Sequence, residues 1–272
     1  MAVRIALFLA VAVTTAPALA AEPVLLYAAG SLRSALTEVA AAFEAASGDK
    51  VQAKFGASGT LKDEIAGGAR AQVFASANME HPRALAAAGK SGPVVLFARN
   101  RLCALARGGL ALTPGSVLER MLDPGVKLGT STPRADPSGD YAWDVFRKAD
   151  KLKPGAFAAL EKKALQLTGG PSSPAAPPGR ALYGMLVAEG KADLFLTYCT
   201  NAREAQAQHP EQQVVALPDA LAVGADYGLT VLDGAPPAAY RFAMFILSSD
   251  GQRILDKHGF TAPAMPQPGD RP

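Results

Sequence analysis

Short apolar runs alternate with segments of helical period along the N-terminal part of the chain. The runs predict buried strands, because each is too short for a helix and is bounded by turn residues. Between them, apolar residues such as Leu36, Val39 and Phe43 recur every three or four positions and predict helices. The predicted elements are strands at residues 24–28, 51–55 and 73–76 and helices at residues 32–46, 61–67 and 82–88. This order predicts a doubly wound, mainly parallel α/β sheet with ligands at the carboxyl ends of its strands.

The pattern changes near residue 94, where extended runs at 93–98 and 102–106 indicate a crossing into a second lobe. A further run at 227–232 indicates the crossing back. The other predicted elements are strands at 127–130 and 193–198, helices at 141–151, 180–189, 236–247 and 251–257, and a proline-rich loop at 169–179. Residues 21–99 with 229–272 therefore form the first predicted lobe and residues 100–228 the second, joined by a hinge of two segments.

The N-terminus has the organisation of a secretory signal peptide over residues 1–20. Arg4 precedes an apolar stretch at residues 5–13, and Ala18-Leu19-Ala20 has the A-x-A form of a cleavage site, so the mature chain is expected to begin at Ala21. The alternative is an N-terminal membrane anchor, for which the apolar stretch is short. With no cysteine at the cut to carry a lipid, we expect an exported, soluble periplasmic protein.

Charge and composition narrow the class of partner. The chain has 27 Lys and Arg against 24 Asp and Glu, and no basic run, which makes nucleic acid a poor candidate partner. The only two cysteines are Cys103 and Cys199. In an oxidising compartment such a pair favours a disulfide over a metal site, the alternative being two separately buried thiols.

Two short stretches carry the candidate chemistry, residues 28–32 (AAGSL) and 55–61 (FGASGTL). Each places a serine, Ser31 or Ser58, between a predicted strand and a predicted helix. A helix start presents unpaired N–H groups that favour an anion, and small neighbours let a ligand approach. The alternative for either serine is an N-cap that only stabilises its helix.

A third corner of the same kind follows the strand at 127–130, in residues 136–141 (DPSGDY). Its alternative is a plain turn with Ser138 or Asp140 as the cap. Tyr198, at the end of its strand, has a phenol that suits an oxyanion or, equally, a buried bond to the backbone. The histidines, His81, His209 and His258, lie far from the serine corners in sequence and are interpreted as surface residues.

These motifs, with residues 71–77 (AQVFASA), resemble those of periplasmic molybdate-binding proteins of ABC transporters. The resemblance extends over nearly the whole mature chain and implies a type II periplasmic binding protein fold with the ligand between two lobes. It implies that a tetrahedral dianion is held by neutral donors: the hydroxyls of Ser31, Ser58 and Tyr198, and the backbone N–H groups of Ser138 and Arg180. The ligand is then molybdate or tungstate, without a cofactor.

The resemblance also implies a monomer that delivers its anion to an ABC permease in the inner membrane and has no catalytic activity. Arg180 departs from the family pattern, which has a small apolar residue there, and a guanidinium facing the cleft favours another or bulkier anion. Three alternatives follow: a carrier of a different oxyanion or organic anion, a ligand-sensing partner of a membrane receptor, and a secreted hydrolase with Ser31 or Ser58 as nucleophile.

Overall fold

The structure is a computed structural model that describes residues 22–174, 177 and 179–263. The predicted signal peptide at residues 1–20 and its cleavage site lie outside the described residues. Within the described part, no helix is long and apolar enough to cross a membrane.

Strands and helices alternate along most of the described chain. The strands are β1 Val24–Ala29, β2 Val51–Gly56, β3 Val73–Ser76, β4 Val95–Ala106, β5 Leu128–Ser131, β6 Leu165–Thr168, β7 Leu194–Tyr198, β8 Gln213–Ala216 and β9 Gly224–Val231. The helices are α1 Arg33–Ser47, α2 Ser58–Ala66, α3 Glu80–Ala87, α4 Val117–Leu122, α5 Pro137–Leu152, α6 Ala156–Lys163, α7 Leu182–Ala188, α8 Cys199–Gln208, α9 Pro237–Leu247 and α10 Ser249–Lys257. Short 3₁₀ turns precede α1 (Gly30–Leu32) and α4 (Pro114–Ser116).

The sheet has two parallel halves joined by crossing strands. Strands β2, β1 and β3 pair in parallel at one end, and β7, β5 and β6 pair in parallel at the other. The crossing strands β9 and β4 lie between them and pair antiparallel with each other and with their neighbours. The predicted α/β fold with two lobes is confirmed. Because every strand of the parallel halves ends toward the gap between the lobes, the helices that follow begin there.

The crossing into the second lobe differs from its prediction. The separate runs predicted at 93–98 and 102–106 form one strand, β4, with an irregularity between Leu96 and Ala98. Between the two predicted runs, polar Asn100 is buried whereas Arg99 and Arg101 are exposed, so these three polar residues follow the alternation of a strand and do not interrupt it. The predicted lobe boundaries at 99/100 and 228/229 fall within β4 and β9 and remain predictions.

Several helices begin earlier than the apolar period predicts. Helix α2 begins at Ser58, three residues before the predicted start, and α5 begins at Pro137, four residues before. Proline is favourable in the first turn, where its missing N–H would have no partner. Helix α7 is shorter than the predicted 180–189. Five elements were not predicted, because they are short or strongly polar: α4, α6, α8, β6 and β8.

The disulfide between Cys103 and Cys199 is present, which confirms that prediction. It joins β4 to the first residue of α8, with the two Cα atoms 4.8 Å apart. Both cysteines are buried beside Leu105, Phe195 and Ala202. The bond therefore fixes the end of β7, where Tyr198 lies, against the crossing strand.

Candidate functional site: an anion cleft between the lobes

A cavity of about 390 Å³ lies between the lobes, at the carboxyl ends of the strands. Of the predicted site residues, Ser31, Ser58, Arg180 and Tyr198 line it, and Ser138 does not. Further lining comes from both serine corners, the 169–171 turn, Asp136, Arg33, Tyr183, Asn201 and Glu204. Residues that are 167 positions apart in the chain (31 and 198) thus meet at one cavity.

Ser58 is the first residue of α2 and is 1% exposed. Its Oγ accepts the backbone N–H of Ala77, from the end of neighbouring β3, at 3.1 Å. The N-cap of α2 is Ala57, which makes no side-chain capping bond, so the N-cap alternative for Ser58 is wrong. Because the serine oxygen already accepts one hydrogen bond, its own proton remains to be donated toward the cavity.

Ser31 lies in the 3₁₀ turn Gly30–Leu32 that leads into α1. Ala29 is the N-cap of this turn and makes no side-chain capping bond, so Ser31 is not a cap either. Its Oγ lies 2.9 Å from Oη of Tyr227, a fully buried residue of β9. The sequence pattern at 227–232 indicates only the crossing back and does not predict this contact.

Tyr198 ends β7 and forms the N-cap residue of α8. It is 2% exposed, and its Oη makes no hydrogen bond with a described residue. Burial raises the pKa of Tyr198 well above its usual value, so the phenol keeps its proton. A buried hydroxyl without a partner costs stability unless a ligand or water occupies that place.

The two predicted backbone donors already have partners within the protein. The N–H of Ser138 donates to Oδ1 of Asp136 at 3.0 Å, and the N–H of Arg180 donates to the carbonyl of Pro177 at 3.1 Å. Ser138 is fully buried, and its Oγ makes no hydrogen bond with a described residue. The side chain of Arg180 is exposed at the edge of the cavity. Both amide groups are therefore already hydrogen-bonded within the protein, whereas the Tyr198 hydroxyl has no partner among the described residues.

Asp136 also lines the cavity, although it was not among the predicted site residues. It is the N-cap of α5, in place of Ser138 or Asp140, and Asp140 instead accepts the N–H of Arg134 at 2.8 Å. Burial raises the pKa of Asp136 to about 6, against the lowering effect of hydrogen bonds from Ser138 and Ser131. The half-buried carboxyl group of Asp136 repels an anion in the cleft when it is ionised. When it is protonated, it is neutral and the repulsion is absent.

The lobes touch each other beside the cavity. The N–H of Gly59, in the first turn of α2, donates to the carbonyl of Ala135 at 2.9 Å. Oη of Tyr141 donates to the carbonyl of Ala77 at 3.4 Å, which also joins elements of different lobes. These contacts hold the lobes together over the cleft.

The histidines do not support a hydrolase. Neither Ser31 nor Ser58 has a hydrogen bond to a histidine among the described residues. His258 lines a neighbouring cavity together with Ser31, but its Nε2 lies 2.8 Å from Oε2 of Glu38. A nucleophilic serine needs a base within hydrogen-bond reach, and this geometry does not supply one.

The sheet with two halves and the cleft between them define a type II periplasmic binding protein fold. The family model for bacterial extracellular solute-binding proteins matches residues 24–261, and the chain belongs to this family. Its members and structural neighbours are solute-binding proteins of transport. The family description places them outside the cytoplasm.

Two curated relatives cover most of the chain. Protein PM1146 of Pasteurella multocida is 36% identical over 235 residues, which are 86% of this chain and 96% of that protein. Molybdate-binding protein ModA of Mycobacterium bovis is 27% identical over 260 residues, 91% of this chain and 87% of that protein. The expected resemblance to molybdate-binding proteins is therefore confirmed.

Solved structures show the same fold at low identity. The periplasmic molybdate-binding protein of Azotobacter vinelandii superposes with a TM-score of 0.69 at 20% identity, covering 88% of this chain and 99% of that one. The sulfate-binding protein SubI of Mycobacterium tuberculosis gives 0.70 at 19% identity, covering 89% of this chain and 88% of that one. Since these two proteins are named for different anions, the fold does not select one.

Proposed function

We propose that this chain is a periplasmic carrier that binds molybdate or tungstate in the cleft and delivers the anion to an ABC permease of the inner membrane. One observation carries the proposal: three hydroxyl groups from separate elements, those of Ser31, Ser58 and Tyr198, line one cavity. The Ser58 proton is available, because its oxygen is already an acceptor, and the Tyr198 hydroxyl makes no bond with a described residue.

Neutral donors suit a transported dianion. Each hydrogen bond to a charged group contributes about 1.5–3 kcal/mol, so a few fixed donors bind tightly without an opposite charge. The starts of α1, α2 and α8 also direct their positive ends toward the cleft, which favours an anion. Release to the permease then breaks hydrogen bonds but no buried ion pair.

A second candidate ligand is an organic anion with a carboxylate or phosphate group. Arg180 and Arg33 both line the cavity and are exposed to an incoming ligand. The cavity volume of about 390 Å³ lies in the range of pockets that hold small organic molecules. A guanidinium at the edge recognises a carboxylate or phosphate through its two parallel N–H groups.

The test is isothermal titration of the purified, dialysed chain from Ala21 with molybdate, tungstate, sulfate and phosphate. We expect one site for molybdate and tungstate and a weak response to sulfate. Ser31→Ala and Ser58→Ala should each weaken molybdate binding about tenfold or more, because each removes a donor to a charged group. Ser91→Ala is the matched control, since this half-buried serine lies outside the cavity and donates to the carbonyl of Gly92.

Two other outcomes would change the proposal. If phosphate monoesters or small carboxylates bind while molybdate does not, and Arg180→Ala abolishes that binding, the organic anion replaces molybdate as the ligand. If the chain cleaves an ester substrate and Ser58→Ala abolishes the turnover, the carrier proposal fails.

A further inference from the structure

A chain of buried polar groups leads from the crossing strands to Ser31. It consists of the backbone N–H of Arg101, the side chain of Asn100 and the phenol of Tyr227. Asn100 belongs to β4 and Tyr227 to β9, the two strands that cross between the lobes. Both side chains are buried, and a buried amide or phenol is favourable only when it is hydrogen-bonded.

The direction of this chain is fixed at its first link. A backbone N–H can only donate, and that of Arg101 donates to Oδ1 of Asn100 at 2.9 Å. The amide orientation of Asn100 is thereby determined, because its nitrogen must point the other way. Nδ2 of Asn100 then donates to Oγ1 of Thr200 at 2.9 Å and to Oη of Tyr227 at 3.4 Å.

The second link, from Asn100 to Tyr227, determines the direction in which the Tyr227 hydroxyl donates its hydrogen bond. Its oxygen accepts from Nδ2 of Asn100, which can only donate, so Oγ of Ser31, 2.9 Å away, is the acceptor for the phenol O–H. Burial raises the pKa of Tyr227 far above its usual value, which keeps that proton in place at any physiological pH. The ring of Tyr198 packs beside that of Tyr227, with centroids 5.6 Å apart, but Oη of Tyr198 makes no hydrogen bond with a described residue and so does not accept the Tyr227 proton.

We propose that Tyr227 is a positioning residue of the anion site, which donates to Ser31 and so turns the Ser31 hydroxyl toward the bound oxyanion. A serine hydroxyl has one proton and rotates freely in the absence of a partner. When the Ser31 oxygen accepts the hydrogen bond from Tyr227, the Ser31 O–H must point away from Tyr227. Because Ser31 lines the cavity, this O–H can donate to a ligand there. The proposal rests on the proposed function, because the group that accepts the Ser31 hydrogen bond is the transported anion.

The experiment is a double-mutant cycle of Tyr227→Phe and Ser31→Ala, with molybdate affinity measured by titration. Phenylalanine keeps the ring and its packing and removes only the hydroxyl. We expect Tyr227→Phe to weaken binding three- to tenfold. In the Ser31→Ala background it should have no further effect, since Tyr227 acts through Ser31. A purely structural role would give the same loss in both backgrounds.

Tyr27→Phe is the matched control. This tyrosine of β1 is half-buried, does not line the cavity and has Nζ of Lys54 5.1 Å from its ring centroid. We expect its molybdate affinity to stay within twofold of the wild-type value. Thermal unfolding of each variant, measured alongside, separates a loss of folded protein from a loss of affinity.

Three outcomes have distinct meanings. The inference is supported if Tyr227→Phe reduces molybdate affinity in the wild-type background and leaves it unchanged in the Ser31→Ala background. Unchanged affinity, or equal losses in both backgrounds, overturns the inference and leaves the proposed function standing. Failure of the wild-type chain to bind molybdate, tungstate, sulfate or phosphate overturns the proposed function and the inference together.

Discussion

Gly59 and Ala135 approach each other so closely that only a glycine fits at the first of these positions. A Cβ atom built on Gly59 would lie 2.3 Å from the carbonyl oxygen of Arg134 and 2.7 Å from that of Ala135. Both oxygens belong to backbone, which cannot move aside as a flexible side chain would. The absence of a side chain at residue 59 therefore permits the bond between α2 and the segment before α5, and with it the closed cleft.

Gly59→Ala should weaken anion binding, because the closed arrangement of the lobes becomes strained. We expect about a tenfold loss of molybdate affinity, which corresponds to about 1.4 kcal/mol, with a small change in thermal stability. Gly92→Ala is the control, since the nearest atom to its added Cβ is 3.8 Å away. Equal affinities for the Gly59 variant and the wild-type chain would show that the lobes close without this contact.

Tyr198→Phe should change stability and binding in opposite directions. The Tyr198 hydroxyl is buried without a hydrogen bond to a described residue, so its removal should raise the free energy of unfolding of the anion-free protein by about 1 kcal/mol. Molybdate affinity should fall about tenfold or more, because a donor to the anion is lost. Chemical denaturation and titration of the same preparation measure both effects. A variant that is destabilised and binds normally would contradict the assignment of Tyr198 as a donor.

Asp136 should make anion affinity depend on pH. With its pKa raised to about 6, the carboxyl group is neutral below that pH and ionised above it. A bound dianion favours the neutral form, so binding takes up a proton at higher pH, and affinity should fall by up to about tenfold per pH unit above 6. Titration between pH 5.5 and about 8 checks this, and a flat profile for the wild-type chain would contradict it.

Asp136→Asn is the matched variant, because asparagine keeps the oxygen that caps α5 and loses the charge. Its molybdate affinity should be nearly independent of pH. The other groups that influence the Asp136 environment, Asp140, Tyr183 and Tyr198, are unchanged in this variant. A pH dependence equal to that of the wild-type chain would assign the titration to another group.

The same variant should alter how stability varies with pH. The Asp136 pKa is raised on folding from its ordinary value of 3.8, so its contribution to stability is fully present below that pH and is lost as the pH rises through about 6. The free energy of unfolding of the wild-type chain should therefore fall relative to Asp136→Asn between about pH 4 and pH 6. Denaturation of the anion-free proteins at several pH values gives the difference, and parallel profiles would contradict it.

The disulfide closes a long loop and should contribute strongly to stability. Cys103 and Cys199 are separated by 96 residues, and removing such a bond costs about 3–5 kcal/mol in the chain-entropy account. We expect Cys103→Ser with Cys199→Ser to lower the unfolding midpoint markedly. Thiol labelling of the denatured, unreduced wild-type chain should find no free cysteine. Two labelled thiols would show that the bond does not form in the expressed protein.

The sequence was sufficient for the two-lobed fold and for three hydroxyl residues that line the cavity, Ser31, Ser58 and Tyr198. Ser31 and Ser58 stand where a strand becomes a helix, a change of hydrophobic period that can be read locally. Tyr198 was found through the family resemblance and the end of its strand. Arg180 was also predicted from the resemblance. Its exposed side chain at the cavity edge is the reason why an organic anion is the second candidate ligand.

Other residues of the cleft depend on contacts between distant segments. Asp136 stands before a proline in a segment predicted as an anion-facing corner or a plain turn, whereas in the structure it shares the cavity with Tyr183 and Tyr198 from distant segments. Asn100 falls between the two predicted runs at 93–98 and 102–106, and its hydrogen bonds to Thr200 and Tyr227 span at least 100 residues. Gly59 was explained by access for a ligand, whereas its neighbour in space is the opposite lobe.

The pairing of β4 with β9 has a consequence for building an optical sensor from this chain. Residues from Val95 to Arg101 bond to residues from Leu229 back to Gly224, so the two crossings form a single ribbon. A fluorescent domain or a new chain terminus inserted in either strand would break this ribbon and detach the lobes from each other. The exposed turn around Gly234, between β9 and α9, is a better insertion point, because it follows the ribbon without interrupting it.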